Sequence, residues 1–290
     1  MRLPSLFLSH GAPTFALEPG RAGPLLKAIG ERVRALPGVR AVLVVSPHWR
    51  TRGLRVGAAE RPETIHDFGG FPAPLYRLQY PVAGAPDVAE EVAAQLAQAG
   101  LAAGLAGGQG LDHGAWVPLL HMLPDAPLPV LQLSLPIESD AADALALGRA
   151  LAPLRDHGVL IVGSGSLTHN LYEFRQSETE APEDYVREFV RWARRCAVAH
   201  DDAALVDFRG APHSQRAHPS DEHYLPLLVA AGASRAGEPV EVIEGGVTYG
   251  VLSMEGYVFG ELHAVQATDR ANVATSATPD TVATASAIPA

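Results

Sequence analysis

A single cysteine in 290 residues leaves this chain with no internal disulfide to form, and a lone Cys196 fits a reducing, cytoplasmic setting. Basic charge is also scarce. Lys and Arg number 22 against 32 Asp and Glu, for a formal charge of -10. That balance excludes the clustered cations of a nucleic-acid footprint and disfavours an anionic membrane surface. No apolar run reaches the roughly 18 residues of a spanning helix, and Pro4 and His10 interrupt anything like a signal sequence at the N-terminus. The G-x-S-x-G elbow and the H-E-x-x-H zinc motif are both absent, so serine hydrolases and zincins lose their usual signatures. GSGS at 163–166 is not followed by a phosphate-loop lysine and reads as a tight turn.

What the chain does have is apolar material. Hydrophobic residues make up 47%, enough for a large core. Continuous apolar runs at 5–10, 40–46, 129–135 and 158–165, with another at 240–245, predict strands buried on both faces. Helical patterns at 24–36, 87–99, 139–155, 183–200 and 220–231 alternate with them, with Asp87, Ser139 and Ser220 as starts. Strand–helix alternation predicts one α/β domain: a mostly parallel central sheet with helices on both faces. The segment 247–260 reads as antiparallel and closes an edge. The domain is expected to span 1–262. Residues 263–290, rich in Ala, Thr and Ser, are expected to form a disordered tail, because they cannot bury enough surface to offset ordering entropy.

Ligands of open α/β sheets bind beyond the carboxyl ends of the strands. His10 follows the first predicted strand, His48 the second, and His169 the GVLIVGSG run. Segments far apart in sequence thus converge as a metal site requires, and neutral imidazoles suit Fe(II) or Zn(II). In HPSDEHYLPLL, Glu222 and His223 fall in the first turn of a predicted helix, and either could reach the same crevice. His113 opens another helix. It is a further candidate, or simply part of that helix's capping region. His66 and His218 are the remaining histidines best placed to line a pocket. Trp49, Phe71 and Trp116, with Phe68 and Tyr224, are candidate apolar walls. Cys196, mid-helix, reads as a packing thiol.

Several motifs together, SHGAP (9–13), SPHW (46–49), TIHDFGGFP (64–72), YPVAGAP (80–86), DHGAWVPL (112–119), PVLQLSL (129–135), GSGSLTHNL (163–171) and HPSDEHYLPLL (218–228), give the sequence a family likeness. It resembles the class III extradiol dioxygenases, and within them the 4,5-DOPA dioxygenase extradiol subgroup. The resemblance implies one divalent metal held by His10, His48 and a third group, His223 in this subgroup or neighbouring Glu222. It implies that His169 is a general base or a fourth neighbour of the metal, and that His113 is a pocket group contacting substrate or oxygen. The implied reaction opens a small aromatic catechol with O2 beside its two hydroxyls. Fe(II) suits that redox chemistry; zinc, known in some relatives, has none of its own. The acidic composition offers no steering to anionic substrates, so neutral or zwitterionic catechols are expected.

Two rival readings are a non-catalytic metal- or ligand-binding module on the same scaffold and a zinc hydrolase using metal-bound water. The hydrolase would work without oxygen, and the module would turn over nothing. All three share one expectation. His10→Ala or His48→Ala should each remove most bound metal from a still-folded protein, and full occupancy by elemental analysis in either variant would contradict it.

Overall fold

A computed structural model of the chain describes residues 1–175 and 181–262; the expected tail lies outside the described residues. Eight strands form one sheet: β1 (Ser5–Ser9), β2 (Ala41–Thr51), β3 (Leu54–Gly57), β4 (Ala103–Ala106), β5 (Val130–Pro136), β6 (Val159–Gly165), β7 (Val240–Thr248) and β8 (Leu252–Phe259). The helices are α1 (Ala22–Ala35), α2 (Pro86–Gln98), α3 (His113–Met122), α4 (Ala141–Leu151), α5 (Asp184–Val198), α6 (Asp202–Val206), α7 (Ser214–Ala217) and α8 (Leu225–Gly232). The strand order is β4-β3-β5-β2-β6-β1-β8-β7. β5, β2, β6 and β1 run parallel, as do β3 and β4, while β8 and β7 add an antiparallel edge. The mostly parallel α/β domain is therefore as expected.

The central strands are apolar throughout because both of their faces are covered. Within β2, Val42 and Val44 point to one core with Leu26, Ile29 and Trp116 of α1 and α3. Leu43 and Val45 point to the other, with residues of α2, α4, α5 and α8. β3 and β4, four residues each, were not legible as runs, and β4 is only half-buried.

Several boundaries shift for identifiable reasons. The helix expected from Ser220 begins at Leu225, where Pro226 occupies its first turn; Ser220 bonds Glu222 instead. Glu222 and His223 therefore sit in the preceding turn. The helix expected from Ser139 is capped by Asp140, whose side chain exchanges hydrogen bonds with Asp143 as a capping box. β2 runs on through His48 to Thr51, but its ladder with β6 ends at Val45 and its register with β5 breaks between Val45 and Arg50. Pro47, with no amide hydrogen to give, sits inside that break. β1 and β2 are not neighbours either, since β6 lies between them.

GSGS is not a turn. Gly163 and Gly165 are strand residues of β6, and the chain entering α8 lies directly on them. A Cβ on Gly163 would stand 2.0 Å from the Pro226 carbonyl oxygen, and one on Gly165 would stand 2.3 Å from that of His223. Glycine here lets two backbones approach, and that approach fixes the height of His223 above the sheet. Gly163→Ala should cost about 1–3 kcal/mol as α8 is pushed outward, read as a lowered urea midpoint. An unchanged midpoint would show that α8 does not depend on this contact.

Candidate metal centre and cavity

β1, β6 and β2 lie side by side at the centre of the sheet, and each leads into a histidine at its carboxyl end. His10 directly follows Ser9, its amide donating to Gly165 O at 2.9 Å. His48 stands in the register break of β2. His169 follows β6, its amide donating to Ala217 O at 2.8 Å. His223 reaches over from the turn before α8, and His113 is the first residue of α3. His10, His113 and His223 are buried, while His48 and His169 are half-buried.

Ligand atoms of His10, His48 and His223 all lie within 4.8 Å of one another. The hydrogen bonds around His10 assign its proton. The Ser164 hydroxyl donates to the Gly114 carbonyl, so the 3.0 Å contact between Ser164 Oγ and His10 Nδ1 is donated by the ring. Nε2 of His10 is then bare, and it faces Nε2 of His48 at 3.2 Å. On the far side of the His48 ring, Nδ1 stands 3.7 Å from the Asp67 carboxylate. Nδ1 of His223 lies 3.3 Å from Glu222 Oε1, and Glu222 also accepts from Ser220 Oγ at 2.8 Å. Glu222 thus holds His223 from behind, and the imidazole, not the carboxylate, joins His10 and His48.

With His10 Nε2 bare, the inward-facing nitrogens of His10, His48 and His223 lie close enough to share one cation. The donor set fits a divalent metal of imidazole preference, with outer partners that fix each ring's tautomer. Burial above all, then the neighbouring histidines, pushes His10 and His223 well below the usual imidazole range. Burial likewise lowers His48 to about 3, and His169 to about 4 against the opposing pull of Glu222. At neutral pH these rings are therefore unprotonated, the state a metal requires.

His169 stacks on His223 with centroids 3.5 Å apart and planes 6° from parallel. Its ligand atom groups with those of Glu222 and His223 rather than with the His10–His48 pair. His113 donates its backbone amide to Asp67 Oδ1 at 2.8 Å, and its Nδ1 pairs with Asp67 Oδ2 at 2.9 Å. Asp67 was not singled out from the sequence, although it sits inside TIHDFGGFP; pairing that carboxylate with the histidines would have found it. Deeper still, buried Asp112 caps α3 and accepts from Ser46 at 2.8 Å and from Gln132 at 2.7 Å.

The histidines open into a cavity of about 510 Å³. His48, His113, His169 and His223 line it, together with Phe68 and Phe71. Trp49 and Trp116, expected as walls, are not among the lining residues. Trp116 is wholly buried, its indole donating to Ile65 O at 3.0 Å, and Trp49 lies in the irregular end of β2. Tyr224 is buried with its hydroxyl on Leu205 O, His66 bonds Leu78 O, and His218 bonds Leu167 O. Phe174 and Leu252 line the cavity outside every quoted motif; Leu171, which closes GSGSLTHNL but was not singled out as a wall, lines it too. No helix of the described residues is long and apolar enough to cross a membrane.

A family model described as the catalytic LigB subunit of aromatic ring-opening dioxygenase matches residues 4–260. The chain is 38% identical over 260 residues to the 4,5-DOPA dioxygenase extradiol of Escherichia coli (strain K12), covering 87% of this chain and 93% of that protein. It is 36% identical to the Beta vulgaris protein of the same name, covering 88% and 96% respectively. A crystal structure of an uncharacterized Escherichia coli K12 protein superposes with a TM-score of 0.73 at 31% identity, covering 89% of this chain and all of that one.

The lowered imidazole values set a pH dependence. An unfolded chain takes up protons on these rings near pH 6.5, whereas the folded, metal-free site does so only near 3–4. Stability of the metal-free protein should therefore be full above pH 6.5 and fall as pH drops through that window. Urea midpoints at pH 8 and pH 5 check this, and equal midpoints would contradict it.

Proposed function

Because the chain belongs to the family of catalytic LigB subunits of aromatic ring-opening dioxygenases, we propose that it is a cytoplasmic, iron(II)-dependent extradiol dioxygenase cleaving a catechol with O2. The observation that carries the reading is the convergence of the His10, His48 and His223 ligand atoms, all within 4.8 Å of one another, beside a cavity of about 510 Å³ that His48 and His223 line. His10, His48 and His223 are the proposed ligands, and Glu222 is the partner that orients His223. Three imidazoles leave about three positions of a six-coordinate ion open. An iron(II) ion there would receive the two catechol oxygens and supply the redox chemistry that joins oxygen to the ring.

The other residues handle protons and orientation. His169, unprotonated at neutral pH, accepts a phenolic proton on its free ring nitrogen. Its stacking on His223 keeps the ring edge-on to the cavity and close to the ligand set. His113, braced by Asp67 at Nδ1, offers Nε2 to the oxygen atoms of the reacting molecule. Phe68 and Phe71 hold the ring and keep water away. The buried thiol of Cys196, raised by desolvation, takes no part.

Anaerobic iron(II) loading followed by air and a catechol panel should give oxygen uptake and a yellow semialdehyde, while zinc-loaded protein gives neither. His169→Gln should keep its metal and lose turnover by about 10²–10⁴-fold. Absence of colour and oxygen uptake with every catechol would end the dioxygenase reading, and unchanged turnover in His169→Gln would end the role of that base.

A further inference from the structure

Away from its histidines the cavity is walled by carbon. Pro13, Phe68, Phe71, Leu171, Phe174 and Leu252, with the Ala12 methyl, supply the remaining side-chain surface. No Lys, Arg, Asp or Glu lines it among the described residues. The nearby carboxylates, Asp67 and Glu222, stand behind the histidines they hold, and their charge repels anions. Arg175 follows Phe174 in the chain, but its guanidinium is engaged by Glu183.

Resting on the dioxygenase reading, we propose that this cavity selects catechols bearing an uncharged, apolar substituent and rejects those bearing a carboxylate or an amino-acid side chain. A carboxylate carried into this site would leave water for a wall with no cationic side chain among the described residues beyond the histidines engaged at the reacting end. A zwitterionic side chain would lose water at both of its charges. An alkyl group, in contrast, gains apolar contact with Phe71, Leu171 and Phe174, and in hydrophobic pockets a single methylene is worth roughly tenfold or more in discrimination. The volume of about 510 Å³ accommodates such a group beside the ring. The preference keeps the neutral catechols of the sequence expectation but drops the zwitterionic ones, and it differs from the substrate in the names of the relatives at 38% and 36% identity.

The test compares 4-tert-butylcatechol, catechol, 3,4-dihydroxybenzoate and 3,4-dihydroxyphenylalanine in two ways. One is kcat/KM from oxygen uptake by iron-loaded protein; the other is calorimetric affinity for zinc-loaded protein, which requires no turnover. The alkylcatechol should exceed both charged compounds by at least roughly tenfold in each. Equal or reversed affinities, or no binding of any of the four, overturn the proposal. If the binding order holds while nothing is turned over, the cavity's selectivity stands and the dioxygenase reading fails. If turnover occurs but favours the charged compounds, the reverse is true. Leu171, 57% exposed on a short turn, can be changed without disturbing the core. Leu171→Arg should raise affinity for 3,4-dihydroxybenzoate about tenfold while lowering that for the alkylcatechol, a gain that mere destabilisation does not produce. An unchanged ratio in this variant also overturns the proposal.

Discussion

Two imidazole nitrogens, Nε2 of His10 and Nε2 of His48, are held 3.2 Å apart, and the architecture around them keeps them there. His10 is turned inward by Ser164, which is itself anchored on the first turn of α3 through Gly114. His48 is carried by the irregular end of β2, with Asp67 behind it. His223 is lowered onto the sheet by two glycines of β6. Burial of these uncharged rings is tolerable in the metal-free chain only because none of them takes a proton at neutral pH, which is also the condition for binding a cation.

Much of this was legible. Strands buried on both faces announce themselves as continuous apolar runs, and a histidine placed just past such a run is a candidate for the crevice. His10 and His169 were found by that rule, and His113 as the opening of a helix; all three lie at the cavity or beneath it. His48 illustrates its limit. A strand that loses its partner while keeping an extended backbone cannot be distinguished from one that ends, so the register break around Pro47 was invisible. The order of β1, β6 and β2 was likewise hidden, because pairing is a long-range property that a local pattern does not encode. The walls were misjudged for a related reason. Trp116 lies on the helix that His113 opens, but its side chain faces the core between α3 and the sheet. Aromatic identity did not separate a ring facing the cavity from one facing the core.

Charge and apolarity are distributed on different scales. The chain as a whole is acidic, at -10, yet its cavity is almost free of formal charge. The carboxylates near the site are consumed in holding histidines, so their influence falls on ring orientation. Polar function is concentrated in a few imidazoles at one end of the cavity, and the other end is left to shape and dispersion. Ligand sites generally divide in this way.

The three converging donors are at positions 10, 48 and 223, and the segment that presses the last of them into place lies against β6, some sixty residues earlier. Such long loops close late, because each costs entropy that only the finished sheet repays. During synthesis the first two donors leave the ribosome long before the third. No early fragment of the chain can therefore offer the complete cluster. On the proposed ligand set, metal uptake would then signal that translation and folding have both run nearly to completion, and a truncated product would be marked by its failure to load.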